Sequence, residues 1–276
     1  MVVFPNSKIN LGLNIISRRT DGYHNISSVM VPIGWCDVLE LVPSKSTATT
    51  LTVSGRKVDC LPEKNLVMKA FRAVNERTEL PPTDIYLRKI IPDGAGLGGG
   101  SADAAFTVKA LNSLYSLGMN DDEMAEICST IGADCPFFIY NRPMLASDTG
   151  TTLSPICIPL PQSIKITVIK PDVSISTAEA YSGVSPHIPQ YSITDILSTP
   201  IKNWRGKLVN DFESQMAGSH PRIASLLNML YEHGAIYAAM SGSGSAVFGL
   251  FDDVNMSDLV THLDDTDAYY AGTLNF

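Results

Sequence analysis

From Ile9 to Ile15 the odd positions are apolar (Ile9, Leu11, Leu13, Ile15), whereas the even ones are Asn10, Gly12 and Asn14. A side-chain period of two predicts a half-buried strand with Lys8, Asn10 and Asn14 on its polar face. Thr20-Asp21-Gly22 supplies a turn, and residues 26–33 read as the returning strand. Residues 38–42 and 49–53 predict a further strand pair. The period then lengthens, and Leu66, Ala70, Ala73 and Val74 fall on one side of a helix over residues 65–76. Residues 85–91 predict a strand that runs straight into a glycine-rich stretch. After it, Ala105, Val108, Leu111, Leu114 and Tyr115 share one face of a helix over 102–116, with Gly118 as its stop. Asn120 caps a second helix through Ile131, closed by Gly132.

Residues 144–155 read as a connecting stretch, with a domain boundary near Leu145. Beyond it the pattern gives a β-branched strand over 164–169 and a helix over 221–233, with His233 and Gly234 at its end. Residues 235–240 and 246–251 predict paired strands around Ser241-Gly242-Ser243-Gly244. Strands and helices mix without a sustained βαβ rhythm, so the predicted class is α+β in two domains, 1–145 and 146–276.

Composition narrows the function. The 276 residues are 45% hydrophobic and 17% charged, as in an ordinary globular enzyme. A net charge of −8 argues against a nucleic-acid surface, which needs a basic stripe. Phosphate would have to be held by a local cradle and a few cations, for which Lys8, Arg18, Arg19 and Lys89 are candidates. Five scattered cysteines without a Cys-x-x-Cys pair, no membrane-length apolar run and no basic-then-apolar leader lead us to expect a cytoplasmic protein. The five histidines form no ligand cluster in sequence, so no metal site is expected.

The richest chemistry lies in Asp93-Gly94-Ala95-Gly96-Leu97-Gly98-Gly99-Gly100-Ser101, where five of nine residues are glycine. Without Cβ atoms, successive N–H groups can turn toward one point, and a helix N-terminus adds partial positive charge there. The expected ligand is phosphate. Gly94-x-Gly96-x-x-Gly99 fits the dinucleotide fingerprint, but a second helix stands where that fold needs a second strand with an acidic end. No Gly-Lys-Ser/Thr is present, so a P-loop is excluded.

Three segments in order are similar to the motifs of the GHMP kinases: Pro5-Asn6-Ser7-Lys8-Ile9-Asn10-Leu11, residues 92–105, and Ala239-Met240-Ser241-Gly242-Ser243-Gly244-Ser245-Ala246-Val247-Phe248. Arg19-Thr20-Asp21-Gly22-Tyr23-His24 and Gly132-Ala133-Asp134-Cys135-Pro136-Phe137-Phe138 narrow the resemblance to a branch that handles a cytidine diphosphate. It implies a two-domain fold with ATP and substrate in an interdomain cleft. It also implies transfer of the ATP γ-phosphoryl group, with magnesium, to the 2-hydroxyl of 4-diphosphocytidyl-2-C-methyl-D-erythritol. Asp134 then matches the general base and Lys8 the cation beside it. Asn65, Lys89, Pro92 and the run Gly94, Ala95, Gly96, Leu97, Gly98, Gly99, Gly100, Ser101 match ATP-binding positions. Asn10, Tyr23, His24, Thr177 and Tyr181 match the substrate site, with two aromatic rings able to sandwich a pyrimidine.

Read on their own, Asp134 is a turn aspartate, Lys8 a solvated strand-end lysine, Asn65 a helix cap and Lys89 an exposed strand lysine. Other small-molecule kinases of the same family, of homoserine or mevalonate type, remain open, as does an inactive nucleotide-binding module. Residues 146–152 depart from the family pattern, and Asp103 stands where some relatives have asparagine, a change expected to leave helix-cap chemistry intact. The sequence is silent on oligomeric state.

Overall fold

The computed structural model describes residues 1–58, 60–161 and 163–274. In chain order the elements begin β1 (Val2–Val3), β2 (Asn6–Arg18), β3 (His24–Cys36), β4 (Val38–Pro43), β5 (Thr50–Gly55), α1 (Leu66–Arg77) and β6 (Thr83–Lys89). Next come α2 (Gly99–Leu114), α3 (Asp121–Ser129), α4 (Cys135–Tyr140), β7 (Met144–Ser147), β8 (Thr152–Pro155) and β9 (Lys165–Lys170). The rest are α5 (Thr177–Ser182), α6 (Ile193–Leu197), α7 (Glu213–Ser219), α8 (Pro221–Glu232), β10 (Tyr237–Met240), β11 (Val247–Phe251), α9 (Met256–Val260) and β12 (Ala268–Thr273). The mixture is the α+β class expected.

The chain divides into two units. One comprises Met1–Ser7, Trp35–Asp93 and Gly98–Arg142, and the other Lys8–Gly34, Gly94–Leu97 and Pro143–Phe276. The chain crosses between the units five times, and the crossings through the first strands and the glycine loop carry no sequence signal.

In the first unit a sheet of order β1-β4-β6-β5 packs with α1 to α4. The expected pairing of 38–42 with 49–53 does not form. Both strands flank β6, β4 antiparallel and β5 parallel to it. The reason lies in burial: β6 alternates buried and more exposed residues, as a central strand over one core face does, while β5 is almost wholly exposed. Helix α1 buries Val67, Ala70, Phe71 and Val74, and α2 presents the small residues Ala102, Ala105 and Ala110 with Val108 and Leu111. Each fully buried Val or Phe side chain contributes about 1.5–3 kcal/mol. Asn65 and Asn120 cap α1 and α3 as their sequences predict, the latter with a full capping box to Glu123.

The second unit carries the sheets β2-β3-β7-β8 and β10-β11-β9-β12. Residues 144–155, expected as a connection, form the antiparallel hairpin β7–β8, and β7 pairs with β3. Its turn uses positive φ at Asp148 and Gly150, and the Asp148 carbonyl accepts from the Ile26 N–H at 2.7 Å. The segment that departs from the family pattern is therefore a sheet extension. Strand β2 also differs from expectation, because residues 6–15 are buried on both faces. Lys8, Asn10 and Asn14 share a face as predicted, but that face is not solvated. Ile169, Phe212, Leu226, Leu230, Val247 and Phe251 lie at the core of this unit. Among the described residues no helix is long and apolar enough to cross a membrane.

Candidate active site

In the first unit, β6 delivers Lys89 to the buried face that also holds Ile85 and Leu87. Its Nζ donates to Asp37 Oδ2 at 2.5 Å and to Asp103 Oδ2 at 2.7 Å. All three side chains are at most 3% exposed. The expectation of an exposed strand lysine is overturned: continuing the period of two from Ile85 places residue 89 inward. Asp103 is likewise not a cap residue but an inward side chain one turn into α2. Asp37 also accepts the backbone N–H groups of Ile90 and Ile91, which fixes the chain where it leaves β6 toward the glycines. Burial opposes the charge on Lys89, but the two carboxylates outweigh it and raise its pKa. Burial pushes the Asp103 carboxyl up to about 8, aided by the negative charge of Asp37 and opposed by Lys89.

Above this triad is a cavity of about 250 Å³ lined by Asn65, Leu66, Lys89, Asp93, Gly100 and Asp103 among others. A second cavity of about 360 Å³ shares Val58, Cys60 and Asn65 with it and reaches Leu51 and Arg56. Asn65 Oδ1 is committed to the Val67 N–H at 2.9 Å, leaving its amide Nδ2 to donate. Gly98 (φ +71°) is the N-cap of α2, and no side chain caps this end. The first N–H groups of the helix have no intrahelical acceptor, so they and the dipole favour an anion. A Cβ on Gly99 would lie 3.0 Å from Ile91 Cγ2 and 3.4 Å from Lys89 Nζ, so glycine keeps this passage open. Ser101 hydrogen-bonds the Cys135 thiol, whose pKa burial pushes up to about 11 and so out of nucleophile chemistry. Asp134 occupies the N-cap position of α4, half-buried, and its side chain makes no cap hydrogen bond. The turn role that its sequence context suggests thus leaves the carboxylate uncommitted to capping.

The glycine loop alternates. Gly94, Gly96 and Gly98 take positive φ (+60°, +72° and +71°), while Ala95 and Leu97 between them are buried, as is Pro92 before them. Buried side chains anchor the segment and the glycines turn its amides, a backbone arrangement suited to anions.

In the second unit, three stretches distant in sequence meet in one buried network. Lys8 Nζ donates to Asn10 Oδ1 at 2.6 Å, Asn10 Nδ2 to Ser28 Oγ at 2.7 Å, and Ser28 Oγ to the Gly12 carbonyl at 2.7 Å. The Asn10 backbone N–H donates to Ser241 Oγ at 3.3 Å, and that hydroxyl donates to the Gly96 carbonyl at 3.0 Å. Ala246 N–H reaches the Ala95 carbonyl at 3.2 Å, and Lys8 N–H the Leu97 carbonyl at 2.9 Å. A Cβ on Gly96 would fall 2.0 Å from the Ser241 carbonyl oxygen, an impossible approach. The Ser241–Ser245 stretch is both the hairpin turn its sequence suggests and the brace of the glycine loop.

Residues that sequence reading missed complete this brace. Asn210 Nδ2 donates to the Met240 and Gly242 carbonyls, both at 2.8 Å, and Asp211 accepts from the Ile15 N–H and Asn14 Nδ2. They lie in an aperiodic stretch, where nothing local marks them.

Two of the substrate-site candidates meet each other. His24 and Tyr181 stack on each other with centroids 4.9 Å apart, and Tyr181 meets Phe212 edge-on at 4.8 Å. A base held between two rings needs roughly 7 Å, twice the ~3.5 Å contact distance. The His24 and Tyr181 rings therefore leave no slot for a base between them. Tyr23 is 68% exposed, beyond a turn that Asp21 pins by accepting from its N–H and from Arg19. Thr177 is the exposed first residue of α5, after its cap Ser176.

Fold and site define a small-molecule kinase. The profile described as GHMP kinases N terminal domain matches residues 65–142, and GHMP kinases C terminal matches residues 201–264. The chain belongs to the GHMP kinase family. It is 52% identical to a protein of Parabacteroides distasonis named 4-diphosphocytidyl-2-C-methyl-D-erythritol kinase, over 91% of this chain and 92% of that one. A Porphyromonas gingivalis protein of the same name is 49% identical over the same shares. A crystal structure of 4-(cytidine 5'-diphospho)-2C-methyl-D-erythritol kinase matches with a TM-score of 0.83 and 30% identity, covering 100% of both chains. A mevalonate kinase structure at 14% identity and a TM-score of 0.73 shares the fold.

Proposed function

We propose that the chain transfers the γ-phosphoryl group of ATP to the 2-hydroxyl of 4-diphosphocytidyl-2-C-methyl-D-erythritol. The names of the relatives at 52% and 49% identity support the substrate. The observation that carries phosphoryl transfer is the buried network joining Lys8 and Asn10 to Gly96 and Ser241, since it gives the phosphate loop and the family's cation one rigid frame. Residues 1–145 then bind ATP, and residues 146–276 contribute to the substrate site.

The nucleotide is held by Asn65, Pro92 and the loop from Gly94 to Ser101, with the first N–H groups of α2 facing phosphate oxygens. Lys89 serves that site by positioning, because its charge is already taken by Asp37 and Asp103. Magnesium would enter with ATP; Asp93, exposed on the cavity lining, offers the hard oxygen donor such a cation takes. Asp134 accepts the proton of the substrate hydroxyl as its oxygen attacks the γ-phosphorus and ADP leaves. Lys8 offsets charge developing on the transferred group, and Asn10 orients the hydroxyl. Cytosine stacks on the outer face of the His24–Tyr181 pair or on Tyr23, with Thr177 as a polar contact, for about 1–3 kcal/mol per stacked base. The working compartment is the cytoplasm.

An ADP-release assay with Mg-ATP and 4-diphosphocytidyl-2-C-methyl-D-erythritol, homoserine or mevalonate tests the reading. Turnover is expected with the cytidylyl substrate alone. Turnover with either other alcohol, or none with any, would overturn it.

A further inference from the structure

His233 closes α8 as its C-cap, and His262 follows α9, 29 residues later. Sequence spacing hides the pair, but the fold brings their rings to 4.9 Å in an edge-to-face arrangement. The Nδ1 of His233 lies 2.8 Å from the Met229 carbonyl oxygen, and that of His262 lies 3.0 Å from the Asp258 carbonyl oxygen. A carbonyl oxygen only accepts, so both rings carry a proton on Nδ1 and, when neutral, a bare lone pair on Nε2. His233 Nε2 is 3.2 Å from Asp258 Oδ2. One ring nitrogen of each histidine and a carboxylate oxygen of Asp258 all lie within 4.8 Å of one another. A ring nitrogen of each histidine and a carboxylate oxygen thus converge, and a cation is what satisfies such a group. A proton on His233 would neutralise one contact and leave His262 unused.

We propose that His233, Asp258 and His262 form a binding site for a divalent transition cation of the zinc class. Two imidazoles with one carboxylate select such a metal over magnesium or calcium, which take oxygen ligands. Backbone carbonyls accepting from both Nδ1 atoms fix tautomer and ring orientation, the support that metal-bound histidines characteristically have. Bonds of about 2.0–2.1 Å in tetrahedral geometry place ligand atoms roughly 3.4 Å apart, so the widest separation must close by at most about 1.4 Å. Asp258 is exposed and its side chain can make that adjustment, whereas both rings are held through Nδ1. Three protein ligands leave a fourth position for water. The metal would join the end of α8 to the five-residue helix α9, and none of its ligands is among the residues assigned to phosphoryl transfer.

Titration calorimetry of the full chain with Zn²⁺ and with Mg²⁺ tests this, together with the visible spectrum of the Co²⁺ complex. One equivalent of Zn²⁺ is expected to bind and raise the unfolding midpoint, with Mg²⁺ inert at this site. His262→Ala and Asp258→Asn, both surface changes, should each weaken Zn²⁺ binding at least tenfold. Cobalt should show N/O-ligated bands without the thiolate charge transfer that exposed Cys60 and Cys157 would give. No zinc binding, equal affinity in His262→Ala, or a thiolate band would overturn the proposal.

Discussion

Lys89 and Lys8 both stand buried on strands, one in each unit, and their surroundings differ. Lys89 is clamped between Asp37 and Asp103, and through Asp37 it fixes the exit of β6. Lys8 donates to Asn10, whose amide and backbone lead on through Ser28 and Ser241 to the glycine loop. A lysine between two carboxyl groups is a strut, and its removal leaves the Asp37 carboxylate uncompensated in the interior. On the proposed function, a lysine tied through amides, hydroxyls and carbonyls to the glycine loop serves as the cation used in chemistry. Burial alone does not separate these roles. The chemistry of the partners does.

The largest expected effect is on turnover. Asp134→Asn should lower kcat by about 10²–10⁴-fold while ATP affinity, read by calorimetry, stays within about threefold. A variant retaining more than a tenth of the wild-type rate would remove Asp134 as the base. On the frame side of the comparison, Lys89→Met should lower unfolding free energy by about 3–5 kcal/mol in urea titrations, because a buried pair loses one partner. A loss below about 1 kcal/mol would mean the triad is not a strut.

The pH dependence sharpens the same point. With its carboxyl raised to about 8 in the folded chain, Asp103 holds a proton there that the unfolded chain, with an ordinary carboxyl at 3.8, has lost. Stability should therefore fall as pH rises between about 4 and 8, by up to about 1.4 kcal/mol per pH unit. Asp103→Asn should flatten that slope and exceed the wild type in stability at pH 8. An unchanged slope would contradict the assignment. The smallest effect is expected at Tyr23: Tyr23→Ala should raise KM for the cytidylyl substrate about five- to hundredfold, the loss of one stacking contact, with no shift in unfolding midpoint.

Much of the fold was legible because its signals are local. Asn65, Asn120 and Gly234 mark helix ends by their own chemistry, and the alternation in β2 and β6 survives in the structure. What failed was what depends on a partner distant in sequence. Nothing within residues 38–55 says that β6 will come between β4 and β5. The polar face of β2 reads as solvated until the Ser241 turn and Asn210 cover it. The reading of Lys89 as an exposed strand lysine weighs residue type above period, although Ile85, Leu87 and Lys89 share one face. The stacking of His24 on Tyr181 at 4.9 Å is likewise a contact between residues distant in sequence, and no sequence states such a distance.

The most direct test of the account is kcat per folded molecule for Lys8→Met and Lys89→Met, measured at saturating ATP and 4-diphosphocytidyl-2-C-methyl-D-erythritol with the folded fraction determined in the same buffer. Loss of the Lys8 cation should reduce kcat per folded molecule by about 10²–10³-fold. Lys89→Met should lower the folded fraction and stay within about threefold of wild type per folded molecule. Equal kcat losses in the two variants, or a Lys8→Met enzyme that turns over normally, would contradict the division between strut and catalytic cation.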